Sequence, residues 1–385
     1  MGKVDPKVDE AIQTLNMTDG PARRKLLTGA GLVSASAAAS ALLAACSSSS
    51  SASTGGGAKS TAGNFPKTPP WQFWFVNHVT TNPFFVPTQY GAADACALLG
   101  IPNIKWGGSQ TSSVPEMVSY LNTAVAGKAN GIAVAVISAT AFTQPVLSAM
   151  NAGIPVVSYN ADGVVNAAGV ATTGTNRLAY YGQDLYASGV ALGTRIVQLM
   201  SGGGAAVGFI ATPGAGNIQP RINGAKAAIA ASGKHIPLAE IASGAQLPQE
   251  VTTIDAYVLA HKSTLKGIFA VDAGSTQTVG QAVAKYGLTG KVASGGFDLT
   301  PVTLQGISNG SLAFTIDQSP YQQGFLPVIG LYMFNLSGGL VQPSTTDTGL
   351  TFVTKSNAGP YSTTKTRFEG SSTAEIVVPR SGAIA

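Results

Sequence analysis

The stretch that decides the fold is residues 131–162, which read GIAVAVISATAFTQPVLSAMNAGIPVVSYNAD. An uninterrupted apolar run, GIAVAVI, is followed by a short helical pattern around Val146–Met150 and then by a second apolar run, IPVVSY. Continuous apolar strands on both sides of a helix are typical of a parallel sheet that is covered on both faces. The stretch therefore predicts a strand–helix–strand unit with a right-handed crossover.

The same alternation extends over most of the chain. Apolar runs occur earlier at WQFWFV and IPNIKW, and later at GVATTG, AAVGFI, IASG, GIFAV and KVASGGF, mostly with helical patterns between them. A body that begins near Pro66 and ends near Val378 holds about 310 residues, which is more than one hydrophobic core usually serves. We therefore expect an α/β protein with two doubly wound parallel-sheet domains, in which ligands bind beyond the carboxyl ends of the strands.

The first 45 residues differ in composition from the rest. Arg23 and Arg24 precede an uncharged, Ala-rich run from Leu26 to Ala45, and a basic segment before a mildly apolar one is the outline of a secretory signal. The long polar prefix and the paired arginines resemble a twin-arginine export signal, with Ala22 where Ser or Thr is usual. An uncleaved membrane helix is the alternative, but this run barely reaches the ~20 apolar residues that a span requires.

The apolar run ends in LLAAC, which looks like a bacterial lipobox. We therefore expect a signal peptide over residues 1–45 and a lipid on Cys46. That lipid would anchor the exported protein at the outer face of the cytoplasmic membrane of a bacterium. Residues 46–65 are rich in Ser and Gly, and such a segment behaves as a flexible linker between an anchor and a folded body.

Composition and charge exclude several classes of function. Charged residues make up 10% of the chain, and the net charge of +5 is not concentrated in any basic run, so a nucleic-acid partner is not indicated. His78, His235 and His261 are scattered without the spacing of a metal site. The sequence has no P-loop, no GxSxG elbow and no spacing that pairs a nucleophile with a base. We expect no enzyme activity, no metal and no cofactor. With Cys46 lipidated, Cys96 has no disulfide partner, and its helical setting predicts a small core residue.

Polar residues cluster directly after the apolar runs. Six polar clusters each follow a predicted strand: NHVTTN, SAT, YNAD, TPGAG, DAGST and GFDLTP. The connections at the opposite ends of the strands, such as LLGIPN and MNAGIP, contain fewer polar residues. Because the carboxyl ends of parallel strands meet at one edge of a sheet, these clusters predict a binding cleft. Amides and arginine donate to hydroxyl oxygens, carboxylates accept from hydroxyl groups, and aromatic rings cover C–H faces. This combination indicates a sugar-type binding site rather than an active site.

Five segments carry a resemblance to a known family. TTNPFF, NAGIPVVSYNAD, PRINGAKAAI, GGFDLTP and DQSPYQQG, in this order, resemble the signature segments of ribose-type (class I) periplasmic sugar-binding proteins of carbohydrate ABC transporters, and the resemblance covers nearly all of residues 70–355. It implies a receptor that captures a carbohydrate and delivers it to an ABC importer, whose permease lies in the membrane. We expect this receptor to be a monomer.

The resemblance also implies two lobes joined by a three-crossing hinge. The crossings would fall near Gly174, near Gln318–Pro320 and near Asp347–Gly349. The amino-terminal lobe would then hold residues 66–173 and 319–347, and the carboxy-terminal lobe residues 174–318 and 348–385. A ligand that contacts both lobes would shift the hinge equilibrium towards the closed form.

A set of ligand-binding residues follows from the resemblance. Asn82 would be the first-strand amide, Phe84 and Phe85 the stacking rings, and Arg221 the guanidinium that clamps ring and hydroxyl oxygens. The other members are acceptors and amides: Asn160 at a position usually held by Asp, Asp272 where Asn is common, Asp298 of the GFD segment, and the hinge amide Gln318.

Two departures from the family pattern bear on the ligand. An extra residue before NPFF places Asn77 and His78 where small residues are usual, and we expect both to reach the ligand. The Arg that often follows the fourth-strand acid is Ala161 here. Such a site would lose one cation and gain neutral amide and imidazole groups, which points to an open-chain sugar alcohol (a polyol) rather than a plain pyranose.

Alternatives stay open for residues and for function. Phe84 and Phe85 could both belong to the core, Asp298 and Arg221 could form a structural ion pair, and Asp162 suits a turn better than a ligand contact. A LacI-type repressor shares this body but requires an amino-terminal DNA-binding helix pair, which residues 1–65 do not supply. A carbohydrate-sensing receptor that signals to a membrane kinase fits the same sequence as a transport receptor. An extracellular enzyme lacks a nucleophile and metal ligands.

Overall fold

The computed structural model describes residues 66–165, 171–172, 175–341 and 343–378. The predicted signal peptide, the lipid site Cys46, the Ser/Gly linker and the crossing predicted near Gly174 lie outside these residues. The architecture below belongs to one compact unit of the chain, Lys67–Ala385. None of the helices that the described residues form is long and apolar enough to span a bilayer.

Strands and helices alternate along this unit. The strands are β1 Phe73–Asn77, β2 Lys105–Gly108, β3 Gly131–Val136, β4 Val156–Asp162, β5 Val164–Val165, β6 Ala171–Thr172, β7 Tyr180–Gly182, β8 Ala206–Ile210, β9 Leu238–Ala242, β10 Gly267–Ala270, β11 Ala293–Phe297, β12 Phe314–Asp317, β13 Thr345–Asp347 and β14 Thr351–Val353. The helices are α1 Val86–Leu99, α2 Val114–Ala126, α3 Thr143–Asn151, α4 Leu185–Leu199, α5 Gln219–Ala231, α6 Leu247–His261, α7 Ala273–Lys285, α8 Pro301–Asn309, α9 Pro320–Leu336 and α10 Gly359–Thr364. A short 3₁₀ helix, Pro83–Phe85, precedes α1.

The first sheet has six parallel strands in the order β13–β7–β4–β3–β1–β2. The strand β1 reads FWFVN and is buried at every position, as expected of a strand covered on both faces. Helix α1 packs against α9, and α2 packs against α3. The strand–helix–strand unit predicted for residues 131–162 is confirmed as β3, α3 and β4. We call this sheet and its helices the first lobe.

The second sheet has the order β14–β12–β11–β10–β8–β9, and all its neighbours are parallel except β14, which runs antiparallel to β12. Helix α4 packs against α5, and α7 packs against α6 and α8. We call this sheet and its helices the second lobe. The two lobes are the two doubly wound α/β domains that the sequence predicts.

The crossings between the lobes follow from sheet membership. Tyr180 pairs with Ser158 of β4 and with Thr345 of β13, so β7 belongs to the first lobe. The chain leaves that lobe after Gly182, and the boundary predicted near Gly174 is therefore wrong by about eight residues. The second crossing, at residues 318–319, joins β12 to α9, and the third, at residues 348–350, joins β13 to β14.

A further connection appears at the carboxyl end. Helix α10 packs on α8 of the second lobe, but the chain then returns to the first lobe. Arg367 forms an ion pair with Asp94 of α1, and the ring of Phe368 meets Tyr321 of α9 edge-on, with centroids 4.8 Å apart. Residues 366–375, which we call the C-terminal strap, therefore contact the first lobe. The assignment of all residues from 348 to 385 to the second lobe is corrected accordingly.

The pair α1 and α9 shows how small residues determine the helix packing. A Cβ on Gly324 would lie 1.8 Å from the carbonyl oxygen of Thr88, and one on Gly91 would lie 2.0 Å from that of Tyr321. Glycine at both positions lets the backbones of the two helices touch. Helix α1 then ends at Gly100, whose φ of 65° is the left-handed conformation that favours glycine at a helix terminus. Cys96 lies buried on α1 as a core residue.

Candidate functional site

A cavity lies between the two lobes at the carboxyl ends of their strands. It measures about 70 Å³, counting the space open to the centre of a water molecule. Since one water needs about 10–15 Å³ on this measure, the cavity matches roughly five to seven waters, which suits one sugar unit and not a chain of them. Nine of the ten candidate residues line it: His78, Asn82, Phe84, Phe85, Asn160, Arg221, Asp272, Asp298 and Gln318.

Asn77 is the candidate that the structure does not bring to the cavity. It is the last residue of β1 and is fully buried. Its Nδ2 donates to the hydroxyl of Tyr159 at 2.8 Å, and its Oδ1 accepts from the backbone N–H of Val79 at 2.8 Å. The prediction that Asn77 reaches the ligand is therefore corrected: both ends of its amide hold the strand end and the following loop.

His78 reaches the cavity and also joins the lobes. Its Nε2 lies 3.1 Å from Nδ2 of Asn217, which follows β8 in the second lobe. An amide nitrogen is a donor, so Nε2 accepts and the ring proton resides on Nδ1. That Nδ1 is buried and has no partner among the described residues. Burial lowers the pKa of His78 to about 4, so the ring is neutral at pH 7.

Asn82 builds the aromatic wall of the cavity. Its Oδ1 accepts from the backbone N–H of Phe84 at 3.0 Å and caps the 3₁₀ helix Pro83–Phe85, which leaves its NH₂ group to donate elsewhere. Phe84 and Phe85 are both buried and meet edge-on at 4.7 Å between ring centroids. Phe85 also packs against Trp106, at 5.9 Å. The two rings are therefore part of the core and part of the cavity wall at once.

Asn160 connects the cavity to the hinge. Its φ of 62° lies in the left-handed region, where asparagine is one of the few tolerated residues. Its Nδ2 donates to Oε1 of Gln323 at 3.1 Å. Gln323 in turn donates to Oε1 of Gln318 and to Oγ1 of Thr348, each at 3.1 Å. One buried amide network therefore links a cavity residue to the second and third crossings.

Arg221 lies on α5 and is 2% exposed. Its two terminal nitrogens donate to the carbonyl of Val271 and to Oε1 of Gln183, each at 2.9 Å, and its guanidinium lies 4.1 Å from the ring centre of Phe297. Its Nε has no partner among the described residues. Burial lowers the pKa of Arg221, while Asp298, Tyr180 and Asp272 oppose that shift.

Asp298 and Gln318 form a pair at the floor of the cavity. Gln318 Nε2 donates to Asp298 Oδ1 at 2.6 Å, and Asp298 adopts a φ of 72° that turns it out of the strand direction. Burial raises the pKa of Asp298 to about 7, although Arg221 and the bond from Gln318 counteract part of that shift. The ion pair between Asp298 and Arg221 that we considered is not formed in the described part of the chain.

Asp272 is the N-cap of α7. Its Oδ1 accepts from the backbone N–H of Ser275 at 2.9 Å, and its Oδ2 accepts from that of Ala211 at 3.0 Å.

Some residues that line the cavity were not predicted from the sequence. The carboxyl group of Glu250 shares the cavity with Asp272. Other lining residues that were not predicted include Ser112, Thr212 and Asn217. Thr212 is the first residue of the polar TPGAG cluster, and Asn217 directly follows that cluster. The cluster is therefore the sequence pattern that could have predicted both residues at the cavity.

Asp162 and Trp106 lie outside the cavity wall. Asp162 accepts hydrogen bonds from Arg177 and from Ser158, so its role is structural, as the turn interpretation favoured. Trp106 packs on Phe85 and Tyr159 behind the wall, and its Nε1 donates to the carbonyl of Thr80 at 3.4 Å.

The lobes contact each other across the mouth of the cavity. Besides the contact between His78 and Asn217, the backbone N–H of Gly216 donates to the carbonyl of Ile137 at 3.0 Å. Gln246 Nε2 donates to the carbonyl of Gln110, also at 3.0 Å. The structure is thus the closed form, in which polar groups of both lobes face one small cavity. Two hinged α/β lobes with such a cavity define the class of protein: a binding protein for a small polar ligand.

Comparisons with known proteins agree. The chain matches the periplasmic binding protein domain over residues 73–332. It is 48% identical over 318 residues to the xylose/arabinose-binding protein XylF of Sulfolobus acidocaldarius, covering 81% of this chain and 78% of the relative. The D-allose-binding periplasmic protein of Escherichia coli is 26% identical, over 63% of this chain and 78% of its own. An ABC transporter solute-binding protein from Burkholderia graminis, solved in complex with D-arabinose, matches with a TM-score of 0.68 at 25% identity, covering 76% of this chain and 98% of that one.

The chain therefore belongs to the periplasmic binding protein family. Members of this family are substrate-binding proteins and not enzymes, and membership implies a location outside the cytoplasm.

Proposed function

We propose that this protein captures one sugar or sugar-alcohol molecule between its lobes and delivers it to an ABC importer. The observation that carries the proposal is the composition of the cavity wall. Two phenylalanine rings lie on the first lobe, and two aspartates and an arginine lie on the second. Two buried N–H donors, one on each lobe, have no acceptor among the residues that the structure describes. Ring hydroxyls of a sugar would supply acceptors to His78 Nδ1 and Arg221 Nε, and would donate to the carboxylates.

A pentose is the ligand we favour. The relative that shares 48% identity is a xylose/arabinose-binding protein, and the similar solved structure holds D-arabinose. The cavity of about 70 Å³ suits one sugar unit. The open-chain alternative rests on Ala161, which is fully buried where a cation is usual in the family, and on the neutral His78. Polyols therefore belong in the same screen as pentoses.

Capture would depend on lobe closure. Phe84, Phe85 and Asn160 approach a ligand from the first lobe, and Arg221 and Asp298 approach it from the second. A ligand makes all these contacts only in the closed form, so its binding shifts the hinge equilibrium towards that form. The permease would then recognise the closed receptor.

We also propose that Cys46 carries the lipid that keeps the receptor at the membrane. The support is the LLAAC segment and the Ser/Gly-rich linker that follows it. Labelling of the protein with radioactive palmitate in a lipoprotein-processing host tests this proposal. Label that is lost in Cys46→Ser supports it, and equal label in both proteins contradicts it.

Ligand capture is tested with a chain that starts at residue 47 and keeps the whole compact unit Lys67–Ala385. A thermal-shift screen would include D-xylose, L- and D-arabinose, D-ribose, D-allose, D-glucose, xylitol and erythritol, followed by calorimetric titration of each hit. A ligand at 100 times its Kd should stabilise the fold by about 2.7 kcal/mol. Hits among pentoses support the favoured ligand, and hits confined to acyclic alcohols support the polyol. A screen with no binding of any of these compounds would overturn capture of a sugar.

A further inference from the structure

We propose that a second cavity between the lobes, directly beside the first, is a subsite for a second sugar unit, and that the protein therefore binds neutral pentose disaccharides as well as single pentoses. The inference rests on the proposed sugar capture and widens the class of sugar that is captured. The first cavity alone suits one sugar unit, so the second unit of a disaccharide needs a space of its own.

The second cavity lies between the lobes, as the first one does. Its wall includes Thr81 and Pro83 of the first lobe and Gln246 and Gln277 of the second. None of these four residues lines the first cavity. Gln246 Nε2 also donates to the carbonyl of Gln110 at 3.0 Å, so a contact between the lobes borders this space. An occupant of the second cavity would touch both lobes and would favour the closed form.

The two cavities share part of their walls. Five residues line both: Val79 and Asn82 of the first lobe, and Ala245, Glu250 and Ala273 of the second. Ala245 and Ala273 contribute only methyl groups to this shared wall, and a glycosidic linkage is a single oxygen atom. A disaccharide would therefore place one ring in each cavity, with its linkage between Asn82 and the two alanines.

The size of the second cavity matches a further sugar unit. It measures about 120 Å³ on the measure that gives about 70 Å³ for the first. At about 10–15 Å³ for each water, this corresponds to roughly eight to twelve waters. The space is larger than the first cavity and has room for a second pentose ring. Pro83, Leu247 and Pro248 offer apolar surface to the C–H groups of that ring.

Two amide groups remain available to hydroxyl groups in the second cavity. Gln277 Oε1 accepts from Oγ1 of Thr300 at 3.0 Å, and Asn82 Oδ1 accepts from the backbone N–H of Phe84 at 3.0 Å. Each amide is thus held through its oxygen, and neither NH₂ group has an acceptor among the described residues. Because an amide NH₂ group donates to a hydroxyl oxygen, both side chains suit the hydroxyl groups of a sugar ring.

The charge of the second cavity favours a neutral ligand. Glu250 is the one titratable residue among the described residues that line it. Burial raises the pKa of Glu250 to about 9, so its carboxyl group is neutral at pH 7 in the closed form. No lysine or arginine lines this cavity in the described part of the chain. A phosphate or carboxylate substituent would find no cation there, whereas a neutral sugar unit needs none.

The test compares single sugars with disaccharides by calorimetric titration of the chain that starts at residue 47. The probes are D-xylose with xylobiose, and L-arabinose with arabinobiose. For the pair whose monosaccharide binds, we expect the wild type to bind the disaccharide with a Kd no more than about tenfold higher. With space for one ring only, the second unit would hold the lobes apart, and the disaccharide would bind far more weakly.

Variants of the second cavity locate the second unit. Gln277→Ala removes a donor of this cavity only. We expect it to weaken disaccharide binding about threefold to tenfold, as the loss of one neutral hydrogen bond does, and to leave the Kd for the monosaccharide within about twofold. Gln281→Ala is the matched control, because Gln281 is exposed one turn further along α7, and it should leave both affinities unchanged. Thr81→Trp, at an exposed position of the wall, fills the space and should weaken the disaccharide more than about tenfold.

The outcomes separate this inference from the proposed function. Monosaccharide binding with a disaccharide Kd more than about tenfold higher overturns the second subsite and leaves sugar capture intact. Equal losses for both sugars in Gln277→Ala, or no loss for either, place the second unit elsewhere and also overturn it. Binding of a disaccharide alone supports the subsite. Absence of binding of all four sugars overturns pentose capture, and the inference fails with it. The wild-type comparison and Thr81→Trp decide the question even where Gln277→Ala folds poorly.

Discussion

At the scale of single residues, Asp298 shows how one side chain joins the hinge to the cavity. It is buried, it accepts from Gln318 at the second crossing, and it lines the cavity. A carboxylate that accepts from a sugar hydroxyl contributes about 1.5–3 kcal/mol, against about 0.5–1.5 for a neutral group. We expect Asp298→Asn to raise the Kd for sugar at least tenfold at pH 8, where the carboxylate is ionised.

Calorimetric titration measures this loss. Asp255→Asn is the matched control, because Asp255 pairs with Lys285 at the surface and lies outside the cavity wall. Equal affinities for Asp298→Asn and the wild type would contradict the assigned role of Asp298.

The buried imidazole of His78 leads to a prediction about how the stability of the fold depends on pH. Burial lowers its pKa from 6.5 to about 4, so between these values the unfolded chain binds the proton more readily than the folded protein. The contribution of neutral His78 is therefore present above pH 6.5 and is lost as the pH falls towards 4. The shift corresponds to about 3 kcal/mol at most.

We therefore expect acidification from pH 7 to pH 4 to lower the free energy of unfolding of the wild type more than that of His78→Gln. Urea denaturation of the two ligand-free proteins measures this difference. Comparing the two proteins cancels the opposite contributions of Asp298 and Glu250, whose pKa values are raised. His235→Gln, at an exposed position, should give no such change. Stability curves for wild type and His78→Gln that stay parallel would rule out the buried neutral imidazole.

The position of a residue in the fold could be predicted where the information was local. Residues that directly follow a strand, such as Asp272 and Asp298, could be placed at the cavity because parallel strands end together. The prediction that Asn77 reaches the ligand was wrong because its side chain is held by Tyr159, which lies 82 positions away on β4. Glu250 was missed because it enters from the first turn of a helix, and neither spacing nor composition shows which helix ends approach a cavity.

At the scale of elements, long apolar runs and helical repeats were predictable, and short strands were not. The apolar runs that became β1, β3, β4, β8, β10 and β11 each carry enough hydrophobic residues to identify a buried strand. By contrast, β7 has three residues, Tyr180–Gly182, and the sequence continues from them directly into the helical pattern of α4. Its strand identity comes from pairing with β4 and β13, which no local pattern shows.

The contact between α1 and α9 gives a prediction at this scale. A Cβ at position 324 would lie 1.8 Å from the carbonyl oxygen of Thr88, and backbone atoms cannot move aside as a flexible side chain can. We expect Gly324→Ala to destabilise the protein by about 1–3 kcal/mol, although alanine is the better helix former. Gly202→Ala is the control, because its Cβ would have no neighbour within 4 Å. Denaturant unfolding of both variants measures the difference, and equal stabilities would disprove the close packing of these helices.

At the scale of the whole molecule, the lobes are joined by three crossings and by the C-terminal strap. The three crossings lie together: Gln183 at the first donates to the carbonyl of Gly349 at the third, at 3.1 Å. Gln318, Gln323 and Thr348 hydrogen-bond to one another beside them. The strap was not predictable, because residues 366–375 show neither a strand nor a helix pattern and their partners on α1 are more than 270 positions away. Its contact with Tyr321, in the first turn of α9, places it close to the second crossing.

The position of the strap leads to the last prediction. Arg367 is 12% exposed, forms an ion pair with Asp94, and lies 4.9 Å from the ring centre of Tyr90. Its removal would leave Asp94 without its cation, and we expect Arg367→Ala to destabilise the protein by about 1–3 kcal/mol. Arg195→Ala is the control, because Arg195 of α4 donates to the neighbouring Gln198 at 3.1 Å and forms no ion pair in the described part of the chain.

Because these contacts lie beside the hinge and outside the cavity, the Kd for sugar should stay within about threefold of the wild type, a change of less than 1 kcal/mol. Thermal unfolding and calorimetric titration of the same preparations separate the two effects. A lower melting temperature with nearly unchanged affinity shows that the strap stabilises the first lobe and moves with it during opening. A large change in the affinity for sugar at constant melting temperature would show instead that the strap favours one hinge state over the other. The strap would then determine how readily the lobes close on their ligand.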